Sequence, residues 1–379
     1  MEAVIPKSIR STKTFLMKEC LGPETVLSKL DESVIESNTR SGIRQVAATW
    51  AMLEKLTREF ANHGMAIHCD IYTEDGYPTD TPVVLYFHAG GLVGWGRRAV
   101  PPWLVQTCWE RKWPLVSASY RLMPQTTSKG LMEDVEAAYE FARNWRADGK
   151  KRRVIAAGSS GGFFPCAMLA HHNPVKPLAL LSAQGINSFR HSFFNSSTLL
   201  TPEPIPDSVM APIIAGPVVI GETRPGDPSA FDVGQLTPDG SRNPDYKPPA
   251  RPQSPDDSDD AARLRGMLYD YYTHKNQWVE LLGDVDPGYA WAKEDAAGAK
   301  ARVEAWPPTV IFHGNADYDV ELAVSEEMRD SLGEDKVTLL VAEGQGHLYD
   351  LTKCIEDEAP GMDTVREAVR CLDGIVARQ

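Results

Sequence analysis

Gly158, Ser160 and Gly162 stand in the stretch Val154-Ile155-Ala156-Ala157-Gly158-Ser159-Ser160-Gly161-Gly162, and this Gly-x-Ser-x-Gly spacing is where the chain most plainly offers chemistry. A short apolar run feeds a serine flanked by glycines, and Phe163 to His171 then has the composition of a helix. Strand, tight turn and helix in that order lift a serine hydroxyl above the edge of a sheet, and only glycines let strand and helix pass so closely. Amides at the start of the helix then face whatever the serine attacks, which suits a developing oxyanion. Pro165 fits, because N–H groups in the first turn lack intrahelical partners.

A serine hydroxyl is a poor nucleophile at neutral pH. It needs an imidazole to take its proton and a carboxylate to hold that imidazole in one tautomer. Asp317 lies four residues past the apolar run Thr309-Val310-Ile311-Phe312-His313, and His347 lies past the run Val337 to Val341, in Gly344-Gln345-Gly346-His347. Both follow the C-terminal ends of expected strands, where open α/β sheets bind their ligands. Asp319 is the rival for the carboxylate role, although it abuts the next helix and could be its N-terminal cap. His313 and the pair His171-His172 read as structural. No His/Asp/Glu grouping has metal-ligand spacing, and the expectation is a site without metal or organic cofactor. The remaining need is for main-chain N–H groups aimed at the oxyanion, where side chains would crowd it. Gly90 and Gly91, after the run Val83-Val84-Leu85-Tyr86-Phe87, and Gly161, after the serine, meet that need.

The elements that must position these residues alternate. Apolar runs at 83–87, 115–120, 154–157, 178–181, 309–313 and 337–341 read as strands with both faces covered, and helical spacings separate them, as at Leu131, Val135, Ala138, Ala142 and Trp145. That rhythm implies a mostly parallel sheet with helices on both faces. Before it, residues 14 to 19 read as a strand, Ile43 to Phe60 carries Val46, Trp50, Leu53, Leu56 and Phe60 at helical spacing, and Met65 to Tyr72 alternates as a strand. The rhythm breaks after the serine helix. Thr201 to Pro255 holds 13 of the chain's 28 prolines with few apolar runs, and Asp256, Asp257, Asp259 and Asp260 follow, so this stretch is no sheet layer and its order stays open. Ala262 to Leu282 is helical again. The expected organisation is an N-terminal helical segment at 1–64 that could contribute to a cap, a core at 65–185 and 306–379, and an inserted cap at 186–305. Trp95, Trp103, Trp109 and Trp113 follow the oxyanion loop, and Tyr271, Tyr272 and Trp278 fall in the cap. Of these, Trp95, Tyr271 and Tyr272 are the candidates for lining an apolar substrate pocket.

At 379 residues, 42% of them hydrophobic, the chain can bury a large core. A net charge of −13 argues against nucleic acid or an anionic membrane as partner. Six scattered cysteines fit free thiols in a reducing compartment. Met1 to Lys7 lacks a basic segment followed by an apolar one, and no apolar run approaches the roughly 18 residues of a spanning helix, so a cytoplasmic protein, monomer or homodimer, is the expectation.

His88-Ala89-Gly90-Gly91, Tyr120-Arg121-Leu122-Met123-Pro124 and Gly158-Ser159-Ser160-Gly161-Gly162 together resemble the hormone-sensitive-lipase-type branch of the α/β-hydrolase superfamily. That family is similar in its His-Gly-Gly-Gly oxyanion loop, its Tyr-Arg-Leu-Ala-Pro segment and its Gly-Asp-Ser-Ala-Gly around the nucleophile. Ala89, Met123, Ser159 and Gly161 depart from it. The chain order Ser160, Asp317, His347 is the order of that fold. The resemblance implies an α/β-hydrolase fold and a serine hydrolase that cleaves a carboxylic ester or lactone through an acyl-enzyme. The long cap points to a bulky, apolar biosynthetic intermediate as the small-molecule substrate. Acyl transfer or cyclisation on the same fold, and a non-catalytic ligand-binding protein, are the alternatives.

Overall fold

Strands that are apolar on both faces must be covered twice, and the sheet of this protein is. The computed structural model describes residues 53–251 and 259–378. Its strands are β1 (Glu54–Asn62), β2 (Ala66–Thr73), β3 (Val83–Phe87), β4 (Leu115–Ala118), β5 (Val154–Ser159), β6 (Ala179–Ala183), β7 (Thr309–Gly314) and β8 (Val337–Ala342). They form one sheet in the order β1-β2-β4-β3-β5-β6-β7-β8. β2 pairs antiparallel with β1 and β4, and every pairing from β4 to β8 is parallel. The helices are α1 (Pro102–Glu110), α2 (Ser128–Asn144), α3 (Phe163–His172), α4 (Asp207–Ile214), α5 (Asp259–Gly266), α6 (Leu268–His274), α7 (Trp278–Leu282), α8 (Ala297–Glu304), α9 (Leu322–Leu332) and α10 (Met362–Ala377). Among the described residues no helix is long and apolar enough to cross a membrane.

Period-two alternation sorts the strand side chains into two layers. Val83, Leu85 and Phe87 of β3 join a layer with Leu131 and Val135 of α2, Phe163 and Met168 of α3, and Val324 and Met328 of α9. Val84 and Tyr86 join the opposite layer with Trp103 and Leu104 of α1 and Val365 and Leu372 of α10. Each such side chain contributes roughly 1.5–3 kcal/mol on full burial. α2 begins where the Thr127 hydroxyl accepts from the Gly130 amide at 3.0 Å, and its apolar positions recur at the expected helical spacing on the buried face.

The expectation of a helical segment over residues 1–64 is corrected where the structure describes it. Glu54–Asn62 is a strand at the sheet edge, so the core begins before residue 65. Leu53 falls in the α1/α10 layer while Leu56 and Phe60 pack on the other, which is the alternation of an extended chain. Leu56 and Phe60 are four residues apart, a spacing that shares a face in a helix and in a strand alike, and pairing with β2 decides between them. The strand expected at 14 to 19, and the rest of the helical spacing before Leu53, lie outside the described residues.

Between β6 and β7 the described residues form α4 to α8 and short 3₁₀ turns but no strand. Phe189, Phe194, Met210, Leu268 and Trp278 from this insertion join the α2/α3 layer. Its proline-rich part does something else. The Val219 carbonyl accepts from the Leu122 amide at 2.9 Å, Thr223 Oγ1 accepts from the Gly96 amide at 3.0 Å, and the Phe231 amide donates to the Arg98 carbonyl at 2.8 Å. It thus crosses the C-terminal ends of β3 and β4 and plugs Phe231 and Leu236 into the α1/α10 layer, with the Phe231 ring edge-on to Tyr72 at 5.4 Å. Phe231→Ala is expected to cost about 3 kcal/mol in urea denaturation, the loss typical of a buried phenylalanine. A cost below about 1 kcal/mol would mean that this stretch peels away from the core.

Candidate active site

Ser160 follows β5 directly, in a single 3₁₀ turn (Ser160–Gly162) that runs into α3. Its φ of 51° is left-handed, a conformation that a residue with a Cβ adopts only when its surroundings enforce it. Those surroundings are backbone. A Cβ on Gly162 would lie 2.2 Å from the Phe87 carbonyl oxygen, and one on Gly158 would lie 2.2 Å from that of Gly162. The Ser160 carbonyl accepts from the Ile186 amide at 2.9 Å, which ties the turn to the loop after β6.

Parallel register brings the partners in. β7 and β8 are neighbours, with His313 opposite Val341 and Gly314 opposite Ala342, so the loops after them leave side by side. The Ala316 amide donates to the Gln345 carbonyl at 3.0 Å, and the Gly344 amide donates to Asn315 Oδ1 at 2.7 Å. Asp317 and His347 therefore meet. With the ring proton on Nδ1, His347 donates to Asp317 Oδ2 at 2.7 Å, and Ser160 Oγ donates to His347 Nε2 at 2.9 Å. Asp319, the rival carboxylate, is exposed, and only its amide takes part, donating to Asp317 Oδ1 at 3.0 Å beside that of Val320 at 3.0 Å.

Asp317 has a fully buried side chain. Burial alone would push its carboxyl up, but His313, His347 and the Val320 amide outweigh burial and bring it down to about 2. His313 is more than a strand-end histidine. Its Nε2 donates to the Val320 carbonyl at 2.9 Å and stands 3.3 Å from Asp317 Oδ2, and its Nδ1 accepts from Ser325 Oγ at 2.8 Å. Asp317, Asp319 and His347 offer ligand atoms within 4.8 Å of one another. A cation on Asp317 Oδ2 or His347 Nδ1 would displace the short hydrogen bond that joins them.

The glycine loop arrives by the same logic. Phe87 of β3 pairs with Gly158 of β5, so residues 88–91 run beside the serine turn, and a Cβ on Gly161 would lie 2.7 Å from Gly91 Cα. His88 pins the start of the loop. It is fully buried, stacks on Tyr120 at 4.4 Å, and its Nδ1 donates to the Ala89 carbonyl at 2.8 Å. Burial brings its pKa down to about 4, so it stays neutral. Tyr120 in turn donates to the His88 carbonyl at 3.1 Å, and neighbouring Arg121 grips Asp134 of α2 through Nε and Nη2. The second sequence motif holds the first in place.

A cavity of about 160 Å³ lies over Ser160 and His347, walled by Gly90, Gly91, Trp95, Tyr269 and Leu348. Trp95 is in its wall. Tyr271 and Tyr272 are not: both are buried in the layer beneath, where Tyr272 packs on Trp278 at 5.6 Å and Tyr271 donates to Asp207 at 3.2 Å. The aromatic residue over the serine is Tyr269, whose ring would meet a Cβ on Gly91 at 2.7 Å and whose hydroxyl donates to the Asp319 carbonyl at 2.6 Å. The signal that could have found it is helical phase. Leu268, Tyr271 and Tyr272 share the inner face of α6, which turns Tyr269 elsewhere. Trp103 lies on the other side of the sheet, donating to the buried Asp350 at 2.8 Å.

Residues 84–186 match the family model described as alpha/beta hydrolase fold. Over 102 residues the chain is 28% identical to a probable carboxylesterase M8 of Phoma sp., covering 24% of this chain and 32% of that protein, so it matches about a third of the relative's length. Among solved structures it is similar to a protein of unknown function from Staphylococcus aureus, with a TM-score of 0.57, 17% identity and coverage of 86% of this chain and 98% of the other. It is also similar to an alpha/beta hydrolase superfamily protein from Enterococcus faecalis, with a TM-score of 0.56, 16% identity and coverage of 86% and 99%. A thermostable esterase from Pseudomonas putida gives a TM-score of 0.51 at 14% identity, covering 86% and 84%. The expected fold is the fold found, and the motif resemblance holds over the matched segment.

The depressed Asp317 pKa has a consequence for stability. Its carboxyl titrates at about 2 in the folded chain against an ordinary 3.8, so the folded state binds that proton less tightly than the unfolded one. The stabilisation, about 2 kcal/mol, is complete above roughly pH 5 and is lost as pH falls toward 2, about half of it by pH 3. Urea titrations at pH 5 and pH 3 are expected to show a smaller acid loss in Asp317→Asn than in the parent protein. Equal losses would contradict the low pKa.

Proposed function

We propose that this chain, which has an α/β-hydrolase fold of the hormone-sensitive-lipase type, hydrolyses a carboxylic ester or lactone of a small molecule through an acyl-enzyme intermediate. The observation that carries this reading is the hydrogen-bonded line Ser160–His347–Asp317, at 2.9 and 2.7 Å, opening on a cavity. Ser160 Oγ attacks the acyl carbon as His347 Nε2 takes its proton. Asp317, its carboxyl brought down to about 2, holds the imidazole in the tautomer that leaves Nε2 free and stabilises the imidazolium that forms. The amides of Gly90, Gly91 and Gly161 are the donors for the oxyanion, each worth about 3 kcal/mol at the transition state. His347 then returns the proton to the leaving alcohol, and water repeats the sequence on the acyl-enzyme.

In this reading residues 186–305 act as the cap, with α5 and α6 placing Gly266 and Tyr269 at the mouth. The cavity of about 160 Å³ fits a short or flat moiety beside the serine, and the bulk of a larger substrate would extend past Trp95. The free thiols of Cys69, Cys108, Cys166, Cys354 and Cys371 support a cytoplasmic setting.

Ser160→Ala is expected to abolish labelling by a fluorophosphonate and to lower kcat on p-nitrophenyl esters by about 10⁴-fold or more. Asp317→Asn should cost about 10⁴-fold, through the wrong tautomer, and Asp319→Asn less than about tenfold, because its carboxylate makes no bond to the imidazole. Equal losses from the two aspartate variants would refute the assignment.

A further inference from the structure

Behind Trp95 lies a second cavity, of about 510 Å³, which shares Gly94 and Trp95 with the cavity over Ser160. Its wall carries Arg224, Arg251, Arg263 and Arg265, in a chain whose net charge is −13. Two of them face carboxylates: Arg224 stands 3.8 Å from Glu222, and Arg251 stands 2.8 Å from Asp227. Arg265 differs. Its Nη2 donates to the Met123 carbonyl at 3.0 Å and to Gln125 Oε1 at 2.7 Å, both uncharged, and its Nε is buried without an acceptor. Among the described residues no carboxylate pairs with it.

A guanidinium drawn out of water with no counter-charge is destabilising, and an orphaned N–H on it adds to the cost. Burial accordingly brings its pKa down to about 10, which still leaves it charged at neutral pH. An arrangement of this kind is accounted for when the counter-charge arrives with a ligand. A carboxylate suits the planar fork and can take two of its N–H groups at once. The position also suits a substrate, because Gly266, the next residue, lines the cavity over the serine.

We propose that the cavity behind Trp95 binds a carboxylate carried by the substrate, with Arg265 as its anchor, so that the ester cleaved at Ser160 is also a free acid. This deepens, and rests on, the ester-hydrolase reading. It replaces the expectation of a wholly apolar substrate with one that is apolar at the serine and anionic at its far end.

Two substrate pairs test it on the intact chain: mono-p-nitrophenyl adipate against p-nitrophenyl heptanoate, with the acid on the acyl side, and 4-acetoxybenzoate against 4-acetoxybenzamide, with the acid on the alcohol side. In at least one pair the acid should have a kcat/KM at least about tenfold higher, expressed in KM. That ratio should collapse in Arg265→Gln and recover in part in Arg265→Lys. Equal turnover within both pairs by the parent protein would overturn the proposal without any variant, as would a ratio that survives Arg265→Gln. Calorimetry of suberate against 1,8-octanediol on Ser160→Ala examines the cavity without chemistry. Suberate binding that needs Arg265 supports the proposal, and its absence overturns it. Failure of the hydrolase reading would show separately, as a parent protein that no fluorophosphonate labels.

Discussion

The serine turn exists only because main chain can lie against main chain there. Gly162 closes on the Phe87 carbonyl, Gly161 on Gly91, and Gly158 on Gly162, at separations that no Cβ would allow. That crowding forces Ser160 to φ 51° and sets the glycine loop beside it. The strain, of order 1–3 kcal/mol, is sustained by the parallel pairings on either side of β5 and by the buried layers beneath them. Loosening either neighbour would relax the turn and move the hydroxyl away from His347.

Around that turn the protein surrounds its ionisable groups with partners of settled state. His88 is neutral and stacked, and Asp317 is anionic and multiply hydrogen-bonded. Behind the His347 loop, Asp350 is fully buried, accepting from Trp103 Nε1 at 2.8 Å and from Gln184 Nε2 at 3.0 Å, while burial pushes its carboxyl up. Ser159, where the family resemblance expects an aspartate, accepts from the Tyr86 hydroxyl at 3.0 Å. The turn therefore keeps a hydrogen-bonded neighbour beside the serine without adding a charge there. Arg265 differs from Asp317 and Asp350 in that its buried Nε has no acceptor and its hydrogen bonds go to uncharged oxygens.

Much of this was legible in the sequence because the strands of the parallel core are mostly apolar runs, unbroken in β3, and a short run of that kind between helical spacings packs best as a strand covered on both faces. Ser160, Asp317 and His347 were legible for a related reason. Each follows the C-terminal end of a strand, and that edge is where an open sheet presents its loops. β1 was not. Edge strands are half exposed, and with a bulge between Glu59 and Ala61 the strand lacks the clean alternation that announces an extended chain. Tyr271 and Tyr272 were chosen for their type, and their type is equally that of core residues. Helical phase sets Tyr269 apart from Leu268, Tyr271 and Tyr272, but that its side of α6 meets the serine depends on how the insertion docks.

The sequence by itself determined the chemistry on offer, the order of the groups that could perform it, and the parallel sheet that carries them, because these depend on residue type and on local periodicity. Tertiary structure decided the rest. It brought Asp317 rather than Asp319 into hydrogen-bond reach of His347, set Tyr269 against Gly91, passed the proline-rich stretch across the sheet to bury Phe231, and placed Arg265 in a cavity wall. Each of these is a contact between segments far apart in the chain, selected by packing and by the cost of burying polar groups, and neither of those is written in any single stretch of residues.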